Sequence, residues 1–331
     1  MNKIVRMFTE SGKNSGFFRG GQPCRRGSHS SMATILLAII LAATLLGAQV
    51  LVSARSGQFR AYINAVELIE KVREESLAKS LNKSIQRYYL IESDGKPVGY
   101  AATSVRPIQQ GEHSIIISGN ELYYYPQTKV RKDISYQAQN DLSSYNFHEV
   151  IQDKTNGIYE TVQQKFTSGI LQLSYYNNTH PKPLVKWINI DKKNFIPSFF
   201  LDFFSSMATV RNESTNGVIF AMVNDAFFRD YRQNVFIECW VKPNGEVLQT
   251  NHNNHPGGSG VKTKWLGHEH HQTIYYDNDH QLIRQKDYFD GTESLFRAVS
   301  HTELLSTFPS AEAELIDWFR TYANDDTTEV L

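Results

Sequence analysis

The sequence predicts a mainly β protein of the α+β class. An N-terminal transmembrane helix and a stalk helix are expected first, then a curved antiparallel sheet or half-barrel with flanking helices. Residues 32–52 are an uncharged apolar run, residues 58–84 repeat apolar side chains at helical spacing, and from residue 86 the period changes to two. Aromatic residues make up 12% of the 331 residues, and most fall in strand-like runs, which favours β structure.

The apolar run 32–52 is long enough to cross a bilayer as a helix. At about 1.5 Å per residue it covers the roughly 30 Å hydrocarbon core. Its polar members are Thr34, Thr44 and Gln49. We interpret the run as an uncleaved signal-anchor. A cleaved long secretory signal and a buried core helix are the alternatives.

The residues before this run set its predicted orientation. Residues 1–31 contain one acidic residue, Glu10, and the basic residues Lys3, Arg6, Lys13, Arg19, Arg25 and Arg26. Basic residues next to a span stay on the cytoplasmic side. We therefore expect a disordered cytoplasmic tail over 1–31. The expected location is the cell inner membrane, single-pass, with the C-terminal domain extracytoplasmic, in the periplasm.

A short motif lies at the junction between tail and span. Arg25-Arg26-Gly27, followed by small polar residues and the apolar run, resembles the leader junction of type IV pilin-like proteins. The resemblance implies cleavage after Gly27 and a role as a structural subunit. Most such proteins carry a Glu five residues after the Gly, and this chain has Met32 there.

The rest of the chain divides into three predicted parts. A stalk helix is expected over 53–85, either free or packed on a sheet, with a dimerising stem as the alternative. An antiparallel β domain is expected over 86–308, and a C-terminal helix and tail over 309–331. Within the β domain, residues 197–207 are predicted to form a helix or turn that closes one end of the sheet, and 251–260 to form a loop.

Small turn-forming residues between β-rich runs predict tight hairpins. Such turns are predicted at Asp94-Gly95, Asn244-Gly245 and Asn278-Asp279. A further turn at Ser118-Gly119-Asn120 is predicted to separate two short strands. Many short strands joined by tight turns indicate an antiparallel sheet rather than a doubly wound fold.

Charge and cysteine content exclude several classes of function. The formal net charge is +0, so we expect no nucleic-acid partner. The two cysteines, Cys24 and Cys239, are predicted to lie on opposite sides of the membrane and cannot pair. Cys239 lies in a strand-like run and is interpreted as a buried, unreactive thiol.

Histidines are the candidate metal ligands. His268 and His270 would point to the same face of a strand, where His252 or His255 could join them in a metal site. This pattern supports a metal-assisted hydrolase as the enzymatic alternative. Alternatively, the same histidines belong to a polar loop and an exposed strand face and bind no metal. No G-x-S-x-G elbow, Walker loop or dinucleotide fingerprint occurs, which favours a non-enzymatic protein. The cofactor is unknown and no catalytic residue is assigned.

Aromatic residues exceed what one flat layer needs, and an ordinary core or an apolar-ligand site would explain them. One hydrophobic segment is followed by a strand, the Asp94-Gly95 turn and a second strand. This order resembles that of bacterial lipoprotein-carrier-like half-barrel envelope proteins over roughly residues 86–300. The resemblance implies a lipid-like ligand in a curved sheet, or a role in envelope assembly. The implied partners are the membrane, a lipid or another envelope protein. The candidate ligand-binding residues are Tyr100, Tyr123, Phe200, Phe204, Phe220 and Phe228.

Overall fold

The computed structural model describes ten stretches of the chain. They are residues 29–75, 84–110, 114–210, 216–224, 226–229, 233–248, 258–266, 269–277, 281–289 and 292–323. The chain divides into two compact units, residues 1–54 and residues 55–331. Most of the predicted tail, residues 1–28, lies outside the described residues.

Helix α1, His29–Glu75, contains the predicted span and continues into the second unit. Over the part of the chain that the structure describes, no helix is long and apolar enough to cross a membrane.

The second unit contains one antiparallel sheet of 14 strands. The strands are β1 Ile85–Ser93, β2 Lys96–Gln110, β3 Ser114–Tyr125, β4 Val130–Gln139, β5 Ser144–Asp153, β6 Ile158–Thr167, β7 Ile170–Asn177, β8 His180–Asn189, β9 Val218–Val223, β10 Phe236–Leu248, β11 Gly258–Trp265, β12 His271–Tyr276, β13 Leu282–Phe289 and β14 Thr292–Val299. The helices are a 3₁₀ turn at Ser198–Phe200, α2 Leu201–Val210, α3 Ala226–Arg229, α4 His301–Thr307 and α5 Ala311–Ala323.

The sheet consists of two meanders. Strands β1 to β8 follow one another in space, as do β9 to β14, and β1 pairs with β14. The edges are therefore β8 and β9. After β8 the chain runs along the β9 edge, where the Ala221 amide donates to the Asn194 carbonyl and the Ile196 amide donates to the Ala221 carbonyl. These bonds satisfy backbone groups that an edge strand would otherwise expose.

The sheet is curved, because distant strands share one hydrophobic core. Phe147 of β5 and Val261 of β11 belong to the same buried cluster, although many strands separate them in the sheet. The 3₁₀ turn and α2 fill the space between these halves. Phe199 stacks on Tyr136 with ring centroids 4.2 Å apart, and Phe204 packs on Phe220 at 5.6 Å. The predicted helix at 197–207 is therefore present inside the curve.

Helix α1 packs on this core through its C-terminal part. Ala65, Leu68, Ile69 and Val72 recur at helical spacing and are all buried in the main cluster. Residues 55–75 are thus a helix packed on the sheet. Of the predicted stalk over 53–85, the structure describes a helix as far as Glu75, residues 76–83 lie outside the described residues, and Ile85 is the first residue of β1.

The Asp94-Gly95 hairpin is confirmed. Both residues have positive φ, 51° and 71°, as a two-residue hairpin turn requires. The hairpin joins β1 to β2.

Two predicted turns are wrong. Ser118-Gly119-Asn120 lies inside the continuous strand β3. A Cβ on Gly119 would lie 2.0 Å from the Tyr136 ring, so this glycine provides room for a close approach rather than a turn. Asn244-Gly245 likewise lies within β10, at a shift in the β10–β11 register. Residues 258–260 of the predicted loop begin β11.

Helices α4 and α5 cover the convex face of the sheet near β1 to β3. Leu304, Leu315 and Trp318 are buried there in one cluster with Leu90 and Leu122. The Ser300 hydroxyl caps α4 by accepting a hydrogen bond from the Glu303 amide at 3.1 Å. The sequence predicts α5 but not α4.

Candidate functional site

Rows of side chains cross the concave face in register. One row is Arg87, Thr103 and Glu121, and the next is Tyr89, Ala101 and Tyr123. Both point inward because residues two apart on a strand share a face. The concave face of β1 to β4 therefore changes from charged to aromatic and apolar along the strands.

Two carboxylates lie where α2 faces these rows. Glu121 accepts a hydrogen bond from the Tyr123 hydroxyl at 2.7 Å. Asp202, in the first turn of α2, accepts one from the Tyr276 hydroxyl at 3.1 Å. Among the described residues, neither carboxylate forms an ion pair. We call these two residues the acid pair.

Both carboxyl groups are harder to ionise than usual. Desolvation raises the pKa of Glu121, and the charge of Asp202 adds to it, while the Tyr123 hydrogen bond and Lys132 lower it. Desolvation also raises the pKa of Asp202, while the hydrogen bond from the Tyr276 hydroxyl lowers it. Yet the Asp202 side chain is exposed. Asp202 therefore meets solvent although neighbouring protein groups desolvate it, and we call the space around the acid pair the hollow.

Tyrosines surround the hollow. Burial first, and then nearby carboxylate charge, raise the pKa values of Tyr89, Tyr136 and Tyr276 well above the ordinary tyrosine value. The carboxylate is Asp202 for all three, joined by Glu121 at Tyr136. Their hydroxyl groups therefore stay protonated at neutral pH and can donate hydrogen bonds. The side chains come from β1, β4 and β12, so both halves of the sheet contribute to the hollow.

The nearest basic side chains already have acidic partners. Lys132 lies 2.6 Å from Glu149, and Arg87 lies 2.6 Å from Asp277. Both cations are thus engaged by other carboxylates, although the charge of Lys132 still lowers the pKa of Glu121.

An apolar patch continues from the hollow along the strands. Its buried members are Tyr89, Ile91, Ala101 and Ala298, and its partly buried members are Val98, Tyr123, Tyr125, Leu282 and Phe296. We call this set the concave patch. A Cβ on Gly99 would lie 2.9 Å from the Tyr125 ring, so the glycine lets that ring lie flat against the sheet. Several of its side chains remain partly open to solvent.

The predicted ligand-binding residues fall into three places. Tyr123 lies in the concave patch beside Glu121. Tyr100 is fully buried on the opposite, convex face, where its ring lies 5.5 Å from Phe308. The four phenylalanines lie in the main core. They are Phe200, Phe204, Phe220 and Phe228.

The predicted metal site falls largely outside the described residues. His252 and His268 are not described. His270 Nε2 lies 2.5 Å from Asp287 Oδ1, and its ring stacks on Trp265 at 5.5 Å. Within the described ranges no group of three His, Cys, Asp or Glu side chains could hold a metal ion. The His252, His268 and His270 site stays a prediction. Cys239 is fully buried, and burial raises its pKa to about 12, as expected of an unreactive thiol.

The acid pair is the part of the site that sequence reasoning missed. Asp202 is the single charged residue in the run from Pro197 to Met207. A lone carboxylate among phenylalanines is a sequence pattern from which a functional position could have been predicted. Glu121 lies two residues before Tyr123 and shares its face by strand alternation.

Two other concavities lie away from the acid pair. A groove of about 700 Å³ lies between Arg73 of α1, the turn at Asp141 and the side chain of Phe195. A second, of about 430 Å³, lies beside Asn224 and the 3.0 Å ion pair of Lys192 with Glu238.

Comparison with known proteins identifies no family. No protein-family model and no curated protein matches the chain. Among solved structures, a β-barrel-like protein of domain of unknown function DUF1849 from Brucella abortus is 8% identical, with a TM-score of 0.44. The match covers 65% of this chain and 95% of that one.

A candidate lipoprotein from Parabacteroides distasonis is 11% identical, with a TM-score of 0.29, over 66% of this chain and 94% of that one. Likeness at this level carries no functional conclusion. The comparisons lend no support to a pilin-like leader at residues 25–32.

Proposed function

We propose that this protein binds an amphipathic, lipid-like ligand on the concave face of its curved sheet, at the cell envelope. One observation carries the proposal: the partly open concave patch adjoins the solvent-reached hollow of the acid pair. An apolar surface that ends in a few convergent polar groups is the usual form of a small-molecule site.

The concave patch supplies the apolar part of the proposed site. Tyr123, Tyr125 and Phe296 present ring faces that α2 leaves partly uncovered. Covering such surface with an alkyl chain contributes about 25 cal/mol per Å² of apolar area removed from water. A ligand of lipid type can therefore bind here without displacing α2 from the main core.

The placement at the envelope comes from the N-terminal sequence. In the proposal the run 32–52 anchors the chain in the inner membrane, and the basic residues before it keep residues 1–31 in the cytoplasm. The sheet would then lie in the periplasm. Its ligand would be drawn from the membrane or from another envelope protein, since an anchored chain cannot diffuse between membranes.

The test is the lipid content of the purified full-length protein. After extraction in a mild non-ionic detergent, native mass spectrometry should show a retained adduct of lipid mass. Leu282→Glu places a charge in the concave patch and should abolish the adduct. The matched control is Val185→Glu, at an exposed position on β8, and it should keep the adduct.

Circular dichroism checks that both variants retain β structure. An empty wild-type protein, or an adduct equally abundant in Leu282→Glu, would overturn the proposal.

A further inference from the structure

We infer that the hollow selects a ligand whose head group carries an organic cation such as a primary ammonium. The inference rests on the proposed function, in which the concave patch holds the apolar part of the same ligand. It goes further by naming the chemistry of the head group.

The first observation is the missing counter-charge. Glu121 and Asp202 each accept one tyrosine hydrogen bond, and in the described part of the chain neither has a cationic partner. Glu121 is partly buried, and taking a carboxylate out of water costs free energy unless a charge or several hydrogen bonds compensate it. The nearest cation, Lys132, is 2.6 Å from Glu149. A ligand cation would supply the missing charge.

The second observation is independent and concerns Tyr136. Its side chain is 5% exposed, and no described residue hydrogen-bonds to its hydroxyl group. That hydroxyl lies over Gly119, two residues before Glu121 on the same strand face. The hydroxyl oxygen itself is not among the buried side-chain atoms that lack a hydrogen-bond partner. It is therefore open to a ligand that enters beside the two carboxylates.

A third polar atom is enclosed nearby. The Ser205 hydroxyl lies one helical turn after Asp202 on α2 and is fully buried. It lies beside the Tyr276 hydroxyl but outside hydrogen-bond geometry. On the helix side the hollow thus contains a buried hydroxyl group without a hydrogen-bond partner.

These groups suit an ammonium better than a metal ion. An ammonium presents three N–H donors, and the oxygens of Glu121, Asp202 and Tyr136 can accept them. Tyrosine ring faces also attract organic cations. Ca²⁺ prefers six to eight oxygen ligands, and no described cluster offers three carboxylate or histidine ligands.

The experiment compares three water-soluble probes of one chain length: hexylammonium, 1-hexanol and hexanoate. Binding to the full-length protein in amphipol is measured by calorimetry at pH 7.5, with empty amphipol as the blank. We expect hexylammonium to bind at least about tenfold tighter than 1-hexanol, and hexanoate to bind more weakly than either.

Two isosteric variants locate the preference. Glu121→Gln and Asp202→Asn should each reduce the ammonium preference, the ratio of the affinities for hexylammonium and 1-hexanol, about tenfold. Circular dichroism checks that both variants are folded. The matched controls are Glu293→Gln and Asp317→Asn, both exposed. These controls should keep the full preference.

The outcomes separate this inference from the proposed function. Equal binding of all three probes would support the apolar site and overturn the cation inference. An ammonium preference that survives both acid-pair variants would also overturn it, because the cation would then bind elsewhere. Failure of every probe to bind would overturn the proposed function as well.

Discussion

The two faces of strands β1 to β3 are made by alternate residues of the same segments, and they differ in how completely they are filled. On the convex face, Leu90 and Leu122 are buried beneath Trp318 of α5. On the concave face, Tyr123 and Phe296 are only partly buried. The helix pair α4 and α5 covers the first face, whereas no element within the described ranges fully covers the second.

The faces also differ in how their charges are compensated. On the convex face, Arg131 lies 2.8 Å from Asp133 and 2.9 Å from Glu314 of α5. On the concave face, Glu121 and Asp202 accept only tyrosine hydrogen bonds among the described residues. The convex face contributes to stability, whereas the concave face retains uncompensated charge that a ligand can use. Four substitutions test this contrast, from the largest expected effect to the smallest.

Trp318→Ala should cause the largest loss of stability. Trp318 is 1% exposed, and removing a large buried aromatic side chain typically costs about 3–5 kcal/mol. Chemical denaturation monitored by circular dichroism measures the change. Phe296→Ala on the concave face should cost less than half as much, because that ring is already partly solvated. Equal losses would show that the two faces are equally structural.

Gly119→Ala should destabilise the concave face directly. The added Cβ would lie 2.0 Å from the Tyr136 ring, and overpacking of this kind typically costs about 1–3 kcal/mol. The free energy of unfolding is again the readout. Gly57→Ala, in helix α1, is the control. Its added Cβ would lie 3.5 Å from Asn216 Oδ1, an ordinary contact distance, and alanine favours the helix. A neutral Gly119→Ala variant would contradict the close approach.

Glu121→Gln should stabilise the protein at neutral pH by about 1 kcal/mol, because it removes a poorly compensated charge. The folded-state pKa of Glu121 is raised above its unfolded value. The contribution of the Glu121 carboxyl group to folding stability is therefore fully present below its pKa in the unfolded state. It is lost as pH rises through its pKa in the folded state. The advantage of the variant should shrink on acidification towards pH 4.

Thermal unfolding of wild type and Glu121→Gln between pH 4 and pH 8 measures this difference. Glu293→Gln, at an exposed position on β14, should show almost no pH-dependent difference from wild type. An advantage of Glu121→Gln that grows on acidification would have the wrong sign and would reject the raised pKa.

Trp187→Thr should have the smallest effect. Trp187 is 66% exposed on edge strand β8, and surface replacements of this type change stability by less than about 0.5 kcal/mol. The denaturant midpoints of wild type and variant measure this change in stability. A larger loss would show that the side chain is covered in solution, and that the uncovered part of the convex face has a binding partner.

Local patterns in the sequence predicted much of the fold. The Asp94-Gly95 turn needs positive φ at adjacent residues, a requirement that can be read from residue type alone. The helix at 197–207 and the apolar stripe of α5 are likewise local periodicities. The turns predicted at Gly119 and Gly245 failed because glycine marks both turns and close packing. Only the position of Tyr136 on the neighbouring strand distinguishes the two at Gly119.

The sequence by itself determined the β class, the aromatic content and the balanced charge, because strand alternation and composition are properties of neighbouring residues. Tertiary structure alone decided which face of each strand is the site. It placed Tyr100 beneath α4 and α5, and it brought Asp202 of α2 to Tyr276 of β12 across 74 residues of chain. Pairing over such separations depends on how the whole sheet curves, which no local pattern encodes.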